Sequence, residues 1–469
     1  MIFRVVAASM SSSTAEAMDS DTIALRPTPK SPLRRRIMHC DVTKLMLLVA
    51  LAGCAIALVT RCPAAPPILN VAANHVTAHV GAVAADHATC SSMGVERLRA
   101  GGNAVDAAVT TALCLGVVRP FSSGLGGGAF ILIHLANGTS LAIDARETAP
   151  ASATESMYVG RPKDALLGGA AIAIPAELQG LRAAWERHGR LPWAEVVRPA
   201  AELAESFEVD AELAEAIEAS KDELRAFSAS ARLLLPGGRP PRVGERLHNP
   251  ALAATLRALA TDPTALSRGA LAAKLVDEIA AAGGNFSMRD LSDYAPVLRE
   301  PLKLKVDGMT LLGVPPPSSG GATILMAMLY LSLLQTPVAA ASRALAAHLQ
   351  VEALKHAFAL RMSLGDPAFV PSAVEAVGAM LSPAFSRQLS SNASDATTRP
   401  LREYGGRFNL LPSGLPTDSG TSHLSVVDAD RNAVSLTTTI NVQPVGSEQR
   451  VQCIIPIDHP HHMLRECDP

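Results

Sequence analysis

The run T-S-H-L-S-V-V-D-A-D-R-N-A-V-S-L-T-T-T-I-N, Thr421 to Asn441, places two alternating β-rich stretches on either side of the turn-forming residues Asp428 to Asn432. That pattern predicts a β-hairpin. A turn centred on Asp430 pairs Leu424 with Leu436 and Val426 with Val434, which makes one face apolar. The other face then carries Thr421, His423 and Ser425 opposite Thr439, Thr437 and Ser435, with Asn441 one step beyond. A face so rich in hydroxyls is either the solvated outer side of an antiparallel sheet or a site.

The tetrad Asp418, Ser419, Gly420, Thr421 moves the reading toward a site. Glycine leaves the carbonyl of its peptide sterically open to a hydroxyl. Attack by the Thr421 side chain on the Gly420 carbonyl would give an ester, and hydrolysis would leave Thr421 as a new N-terminus. Its freed α-amine, with an ordinary pKa of ~7.7 to 8, can serve as general base for its own hydroxyl.

Outward from the hairpin, helical periodicity marks Ser91 to Leu115, Glu177 to His188, Trp193 to Glu205 and Ala251 to Ala260. Strand-like runs occupy Phe130 to His134 and Leu141 to Ile143. Two Pro/Gly clusters, Pro236 to Pro241 and Pro315 to Gly321, read as loops. The apolar helix that follows, Ala322 to Leu334, lacks charge bias at its flanks and reads as a core helix rather than a membrane span.

A chain of 469 residues with 48% hydrophobic content is neither disordered nor a small stapled scaffold. With 41 Lys and Arg against 43 Asp and Glu, and 3% aromatics, it has neither the basic field nor the stacking platforms of a nucleic-acid binder. Charge is uneven only at the start. Arg26, Lys30, Arg34, Arg35, Arg36 and Lys44 precede an uncharged apolar run from Leu45 to Val59, which Arg61 closes. The run suits a signal-anchor, a cleaved signal peptide or a core helix, and the long basic flank favours the anchor. The expected arrangement is a cytoplasmic tail at 1–44, a transmembrane helix at 45–61, a stalk at 62–77 and an exported body from 78: a single-pass type II protein of the plasma membrane. The triplets at Asn137, Asn285 and Asn392 then stand as glycosylation acceptors.

Several separate segments also resemble one family. They are G-A-V-A-A-D-H at Gly81 to His87, G-G-N-A-V-D-A-A at Gly101 to Ala108, S-G-L-G-G-G at Ser123 to Gly128 and D-A-R-E-T-A-P at Asp144 to Pro150. R-H-G-R-L-P-W at Arg187 to Trp193, P-P-P-S-S-G-G at Pro315 to Gly321, L-G-D-P at Leu364 to Pro367 and the Thr421 hairpin follow in order. From about Ala78 to Asn441 the chain is similar to the gamma-glutamyltransferase (glutathione hydrolase) family of N-terminal-nucleophile enzymes, in its membrane-anchored animal form. The resemblance implies an α+β fold, the four-layer αββα sandwich of N-terminal-nucleophile hydrolases, incomplete at its C-terminal end. It implies autocleavage between Gly420 and Thr421, which divides a large-subunit region, 78–420, from a small-subunit region, 421–469. Thr421 would be the nucleophile and Thr439 the hydroxyl that orients the freed amine. Asn441 would contact the glutamyl amino-acid end, and Arg146 would pair with the substrate carboxylate, as a planar guanidinium suits. Taken alone, an Arg beside Glu147 also reads as a surface ion pair. Cys90 and Cys114 match a bridged pair in the family. Glutathione and its γ-glutamyl conjugates are the implied donors, with water, amino acids or dipeptides as acceptors, and no cofactor or metal is needed.

Beyond Asn441 the resemblance stops, and the family's small subunit is longer than 421–469. The missing elements include the Gly-Gly turn of the oxyanion hole, so the rival expectation is an unprocessed, inactive membrane glycoprotein of the same fold. Arg431 occupies a position where the family usually has Gly. Among His459, His461, His462, Cys453 and Cys467 the spacing fits no closed metal site. Gly124 to Ala129 matches a dinucleotide fingerprint, but the strand-like F-I-L-I-H follows it where a helix is required.

Overall fold

A computed structural model describes residues 78–441, apart from 167, 335–337, 339–340, 392 and 409–419. The apolar run at 45–61, the acceptor Asn392, Asp418, Ser419 and the cysteines and histidines of the tail lie outside the described residues. Eight strands matter here: β1 (Ala82–Ala85), β2 (Gly128–His134), β3 (Ser140–Ala145), β4 (Val297–Arg299), β5 (Leu302–Val306), β6 (Met309–Gly313), β7 (Ser422–Val427) and β8 (Ala433–Thr439). So do six helices: α1 (Ala88–Arg99), α2 (Ala104–Val118), α3 (Glu177–His188), α4 (Trp193–Glu205), α5 (Pro250–Thr261) and α6 (Gly320–Ser332).

The periodic run expected as one helix from Ser91 to Leu115 is two. Gly101 adopts a φ of +91°, which ends α1, and Asn103 starts α2 with a capping box. The Asn103 side chain accepts the Val105 and Asp106 amides, while Asp106 accepts the Asn103 amide at 2.9 Å. Asp106 also takes the Arg190 and Leu191 amides, which ties G-G-N-A-V-D-A-A to R-H-G-R-L-P-W. Cys90 and Cys114 are bonded, stapling α1 to α2.

The hairpin forms in the register that its alternation sets, with Leu424 opposite Leu436 and Val426 opposite Val434. It sits inside a six-stranded sheet in the order β1-β7-β8-β2-β3-β4, antiparallel at every pairing. One sheet face, bearing Ile131, Ile133, Ile143, Leu424, Val426, Val434 and Leu436, packs against α2, α3 and α4 in the main core. On the other face Leu132 and Ala142 meet Leu312 and Val314, at and just beyond β6. The β5–β6 pair turns its opposite side, Leu304, Val306 and Leu311, to Leu325 and Leu329 of α6. Helix, sheet, small sheet and helix therefore stack in that order, an α+β sandwich whose second sheet has two strands among the described residues. Helix α6 is a core element, with Leu325 and Met326 fully buried. Among the described residues no helix is long and apolar enough to cross a membrane.

Candidate active site at the open end of the hairpin

Gly420 and Thr421 are exposed where the chain enters β7. Among the described residues a Cβ built on Gly420 would meet only the Ser122 side chain, at an ordinary 3.7 Å. Ser422 pairs with Thr438, and one step further the same register sets Thr421 across from Thr439. Thr439 is buried, and its hydroxyl accepts the Asn441 amide at 2.9 Å, which leaves its own proton to donate.

Asn441 takes a left-handed φ of 72°, a conformation asparagine tolerates. Its Oδ1 accepts from the Arg146 guanidinium at 2.7 Å, and its Nδ2 donates to Glu147 at 3.1 Å. Arg146 Nε donates to Glu147 Oε2 at 3.0 Å and lies over the Phe130 ring. The surface ion pair that Arg146 and Glu147 suggest in sequence is not what forms, because the Glu147 side chain is 0% exposed. Burial pushes the Glu147 carboxyl up, and Arg146 beside it pulls back. The result is a carboxylate-backed guanidinium at the end of β8, a ready partner for a carboxylate.

Two glycines allow this closeness. A Cβ on Gly127 would come within 2.0 Å of the Thr439 carbonyl oxygen, and one on Gly128 within 2.8 Å of the Glu147 carboxyl. Gly127 also offers its carbonyl to the Ala176 and Glu177 amides, which seats the start of α3 behind the hairpin. These glycines lead into β2, so the dinucleotide fingerprint has no helix to serve it.

On the core face, Ser422 and Thr438 are held from behind. Ser122 Oγ and Ser422 Oγ lie 2.7 Å apart, Ser123 Oγ lies 3.2 Å from Thr438 Oγ1, and Thr438 donates to the Glu177 carboxyl group. Burial pushes the Glu177 carboxyl up to about 8. On the outer face, His423 bridges Thr437 and Ser425, each at 3.0 Å, and burial brings its pKa down to about 4. The Asp86 carboxylate accepts the His423 amide at 2.8 Å, giving G-A-V-A-A-D-H a direct hold two residues from Thr421.

The structure thus brings Thr421, Thr439, Asn441 and Arg146 to one end of one hairpin. Glu147 and Ser123, which lie in the quoted motifs without an assigned role, join them, as do Glu177 and Ser122. The acceptors Asn137 and Asn285 are both exposed. Among the described residues no group of His, Cys, Asp or Glu is placed to hold a metal.

A threonine at the mouth of a strand within a helix-covered antiparallel sheet defines the class of N-terminal-nucleophile hydrolases. The chain belongs within it to the gamma-glutamyltranspeptidase family, whose profile matches residues 90–452. It is 43% identical over 398 residues to glutathione hydrolase 2 of Arabidopsis thaliana, covering 84% of this chain and 68% of that one. To glutathione hydrolase proenzyme 2 of Schizosaccharomyces pombe it is 37% identical, covering 77% of this chain and 59% of that one. The crystal structure of Helicobacter pylori gamma-glutamyltranspeptidase superposes with a TM-score of 0.65 at 27% identity, over 72% of this chain and 99% of that one. The chain therefore spans about three fifths to two thirds of the length of these curated relatives.

Proposed function

We propose that this chain cleaves itself between Gly420 and Thr421 and that Thr421 then transfers or hydrolyses the γ-glutamyl group of glutathione and its conjugates. The carrying observation is the placement of Thr421 opposite Thr439, with the Arg146–Glu147–Asn441 triangle joined to the same strand end. In the first step the Thr421 hydroxyl oxygen adds to the Gly420 carbonyl and the C–N bond breaks. The proton passes to the departing amine, and water opens the resulting ester to a Gly420 carboxylate. The free Thr421 amine accepts a hydrogen bond from Thr439 and takes the nucleophile's proton in turnover. Arg146 binds the donor's α-carboxylate, and Asn441 orients its amino-acid end. The glutamyl ester on Thr421 is released by water, an amino acid or a dipeptide.

The same proposal sets the body outside the cell on a type II plasma-membrane anchor at 45–61. The basic flank before the apolar run supports it, as do the exposed acceptors Asn137 and Asn285. Loss of mass on glycosidase treatment of surface-exposed protein is the check, and acceptors that never carry sugar would refute it.

The deciding experiment compares the full chain with Thr421→Ala on a denaturing gel with N-terminal sequencing. A fragment beginning at Thr421 in the wild type alone, with glutamate released from a γ-glutamyl anilide, establishes the reading. One uncut chain in both identifies an unprocessed, inactive relative.

A further inference from the structure

Ser422 and Thr438 face each other across the hairpin, and each is the immediate neighbour of a residue of the reactive pair, Thr421 and Thr439. Both point into the core, where one short segment and one helix hold them. Ser122 meets Ser422, Ser123 meets Thr438, and Glu177, the first residue of α3, receives the Thr438 hydroxyl. Whatever fixes those two core-facing side chains fixes the register and depth of the two outward-facing threonines.

Glu177 is fully buried, and its second oxygen, Oε1, has no hydrogen-bond partner among the described residues. The cavity beside it is about 10 Å³ and is lined by Leu113, Gly116, Leu125, Leu252 and Leu256. That is at most one water's space, with apolar walls that cannot solvate an anion. From α2 it faces Leu113 and Gly116, from α5 Leu252 and Leu256, from the glycine loop Leu125 and the Gly124 amide, and from β8 Thr438; the amide and the hydroxyl favour the anion, but burial outweighs both. Among the described residues the charged group acting on it is Glu147, itself an acid and already engaged by Arg146. Among the described residues no cation is paired with Glu177.

We propose that Glu177 is a positioning residue that works as a neutral acid, clamping Thr438 together with Ser123 and Ser122 so that Thr421 meets Thr439, and that its ionisation loosens the clamp. The inference rests on the autocleavage reading for its effect on chemistry, but the clamp itself is a property of the fold. The burial that brings Glu177 to about 8 places the release on the alkaline side of neutrality.

The test uses the full chain with two readouts. The infrared difference between wild type and Glu177→Gln should show a protonated carboxyl band at neutral pH that disappears with a midpoint near 8. Only carboxylate absorption at pH 6 to 7 overturns the proposal. In Thr438→Val the same band should shift as its partner is lost, and an unmoved band also overturns the clamp. These arms hold whether or not the chain cleaves itself. The second readout is the rate at which the Thr421 N-terminus appears. One pH unit above its midpoint about a tenth of the acid form remains, so wild-type cleavage should fall roughly tenfold by about pH 9. Glu177→Gln, which has nothing to ionise, should lose that fall whatever its absolute rate, and a fall retained in this variant overturns the proposal. Absence of cleavage in the wild type at every pH refutes the autocleavage reading and leaves the clamp to be decided by the infrared arms.

Discussion

The two ends of the Thr421–Asn441 hairpin are each held by a buried acid, and the two acids are treated in opposite ways. At the turn, Asp428 accepts the Ala104 amide at the start of α2 at 3.0 Å, the Asn432 amide at 2.9 Å and the Asn432 side chain at 2.8 Å. Every contact is a donor aimed at a carboxylate, and a helix N-terminus favours that charge. At the reactive end, Glu177 has one hydroxyl, the Gly124 amide, an unpartnered oxygen and leucines. The turn end is therefore a finished anchor, with both oxygens of its acid met by donors. The reactive end tolerates an acid only as long as it keeps its proton. A fold fixes a strand where nothing reacts with saturated polar contacts, and leaves the adjustable, under-satisfied ones beside the chemistry.

Removing protons should open the largest gap between the two ends. A carboxyl raised from 4.5 to about 8 contributes stability that is whole below its ordinary value and drains as pH rises to the folded one. The loss runs at ~1.4 kcal/mol per pH unit, several kcal/mol across that window. Thermal unfolding followed from pH 5 to 9 should show wild type losing stability that Glu177→Gln keeps. Parallel profiles for the two proteins would mean that the buried acid is not the titrating group.

Next in size is the turn itself. Asp428→Ala strips the hairpin's return and α2's first free amide of their acceptor at once, and buried donors left without one cost about 1–3 kcal/mol each. Denaturant unfolding should register a loss of about 3 kcal/mol. A cost below 1 kcal/mol would show that the turn end is no anchor.

Gly127→Ala attacks the reactive end without touching a charge. Its Cβ would lie 2.0 Å from the Thr439 carbonyl oxygen, backbone against backbone, so β8 must move. About 1–3 kcal/mol of stability should go, as overpacking usually costs, and self-cleavage should fall further than that loss explains. Normal cleavage in a destabilised Gly127→Ala would separate the placement of Thr439 from the chemistry.

How much of this was legible in advance differs between the same two ends. The register of the hairpin follows from two alternations and a turn, so Leu424–Leu436 and Val426–Val434 stand as their pattern requires. The α3 and α4 boundaries, Glu177–His188 and Trp193–Glu205, likewise follow from periodicity. The break between α1 and α2 escaped because the apolar period runs on through Gly101 and Asn103, and capping chemistry overrides it. Glu177 escaped for a deeper reason. An acid in the first turn of a helix reads as ordinary dipole complementarity. Its burial comes from Leu113, Leu125, Leu252 and Leu256, and its hydrogen bond from Thr438, 261 residues away, which no local pattern encodes. Thr439 and Asn441 fall on the Thr421 face by the hairpin register, but their roles, and Arg146 altogether, follow only from family resemblance, since spacing gives no hint that a residue after β3 meets the end of β8.

The smallest expected effect concerns the turn end's one local misfit. Arg431 holds a φ of 70°, a left-handed conformation that costs a residue with a Cβ ~1–2 kcal/mol. It is exposed, and its role in the turn is made by its backbone, whose amide donates to the Asp428 carbonyl at 3.1 Å. Asp428 and Asn432 lock the turn from both sides, so the conformation is imposed on Arg431. Glycine accepts that φ freely but loses more chain entropy on folding, which offsets part of the gain. Arg431→Gly should therefore raise the denaturant midpoint by an amount equivalent to about 0.5–1 kcal/mol with an unchanged slope. Cleavage at Gly420–Thr421 should keep its wild-type rate, because the register at the far end is set by Ser422 and Thr438. A stability gain that also speeds cleavage would mean that strain at the turn travels the length of the hairpin, and that the two ends are one mechanical unit.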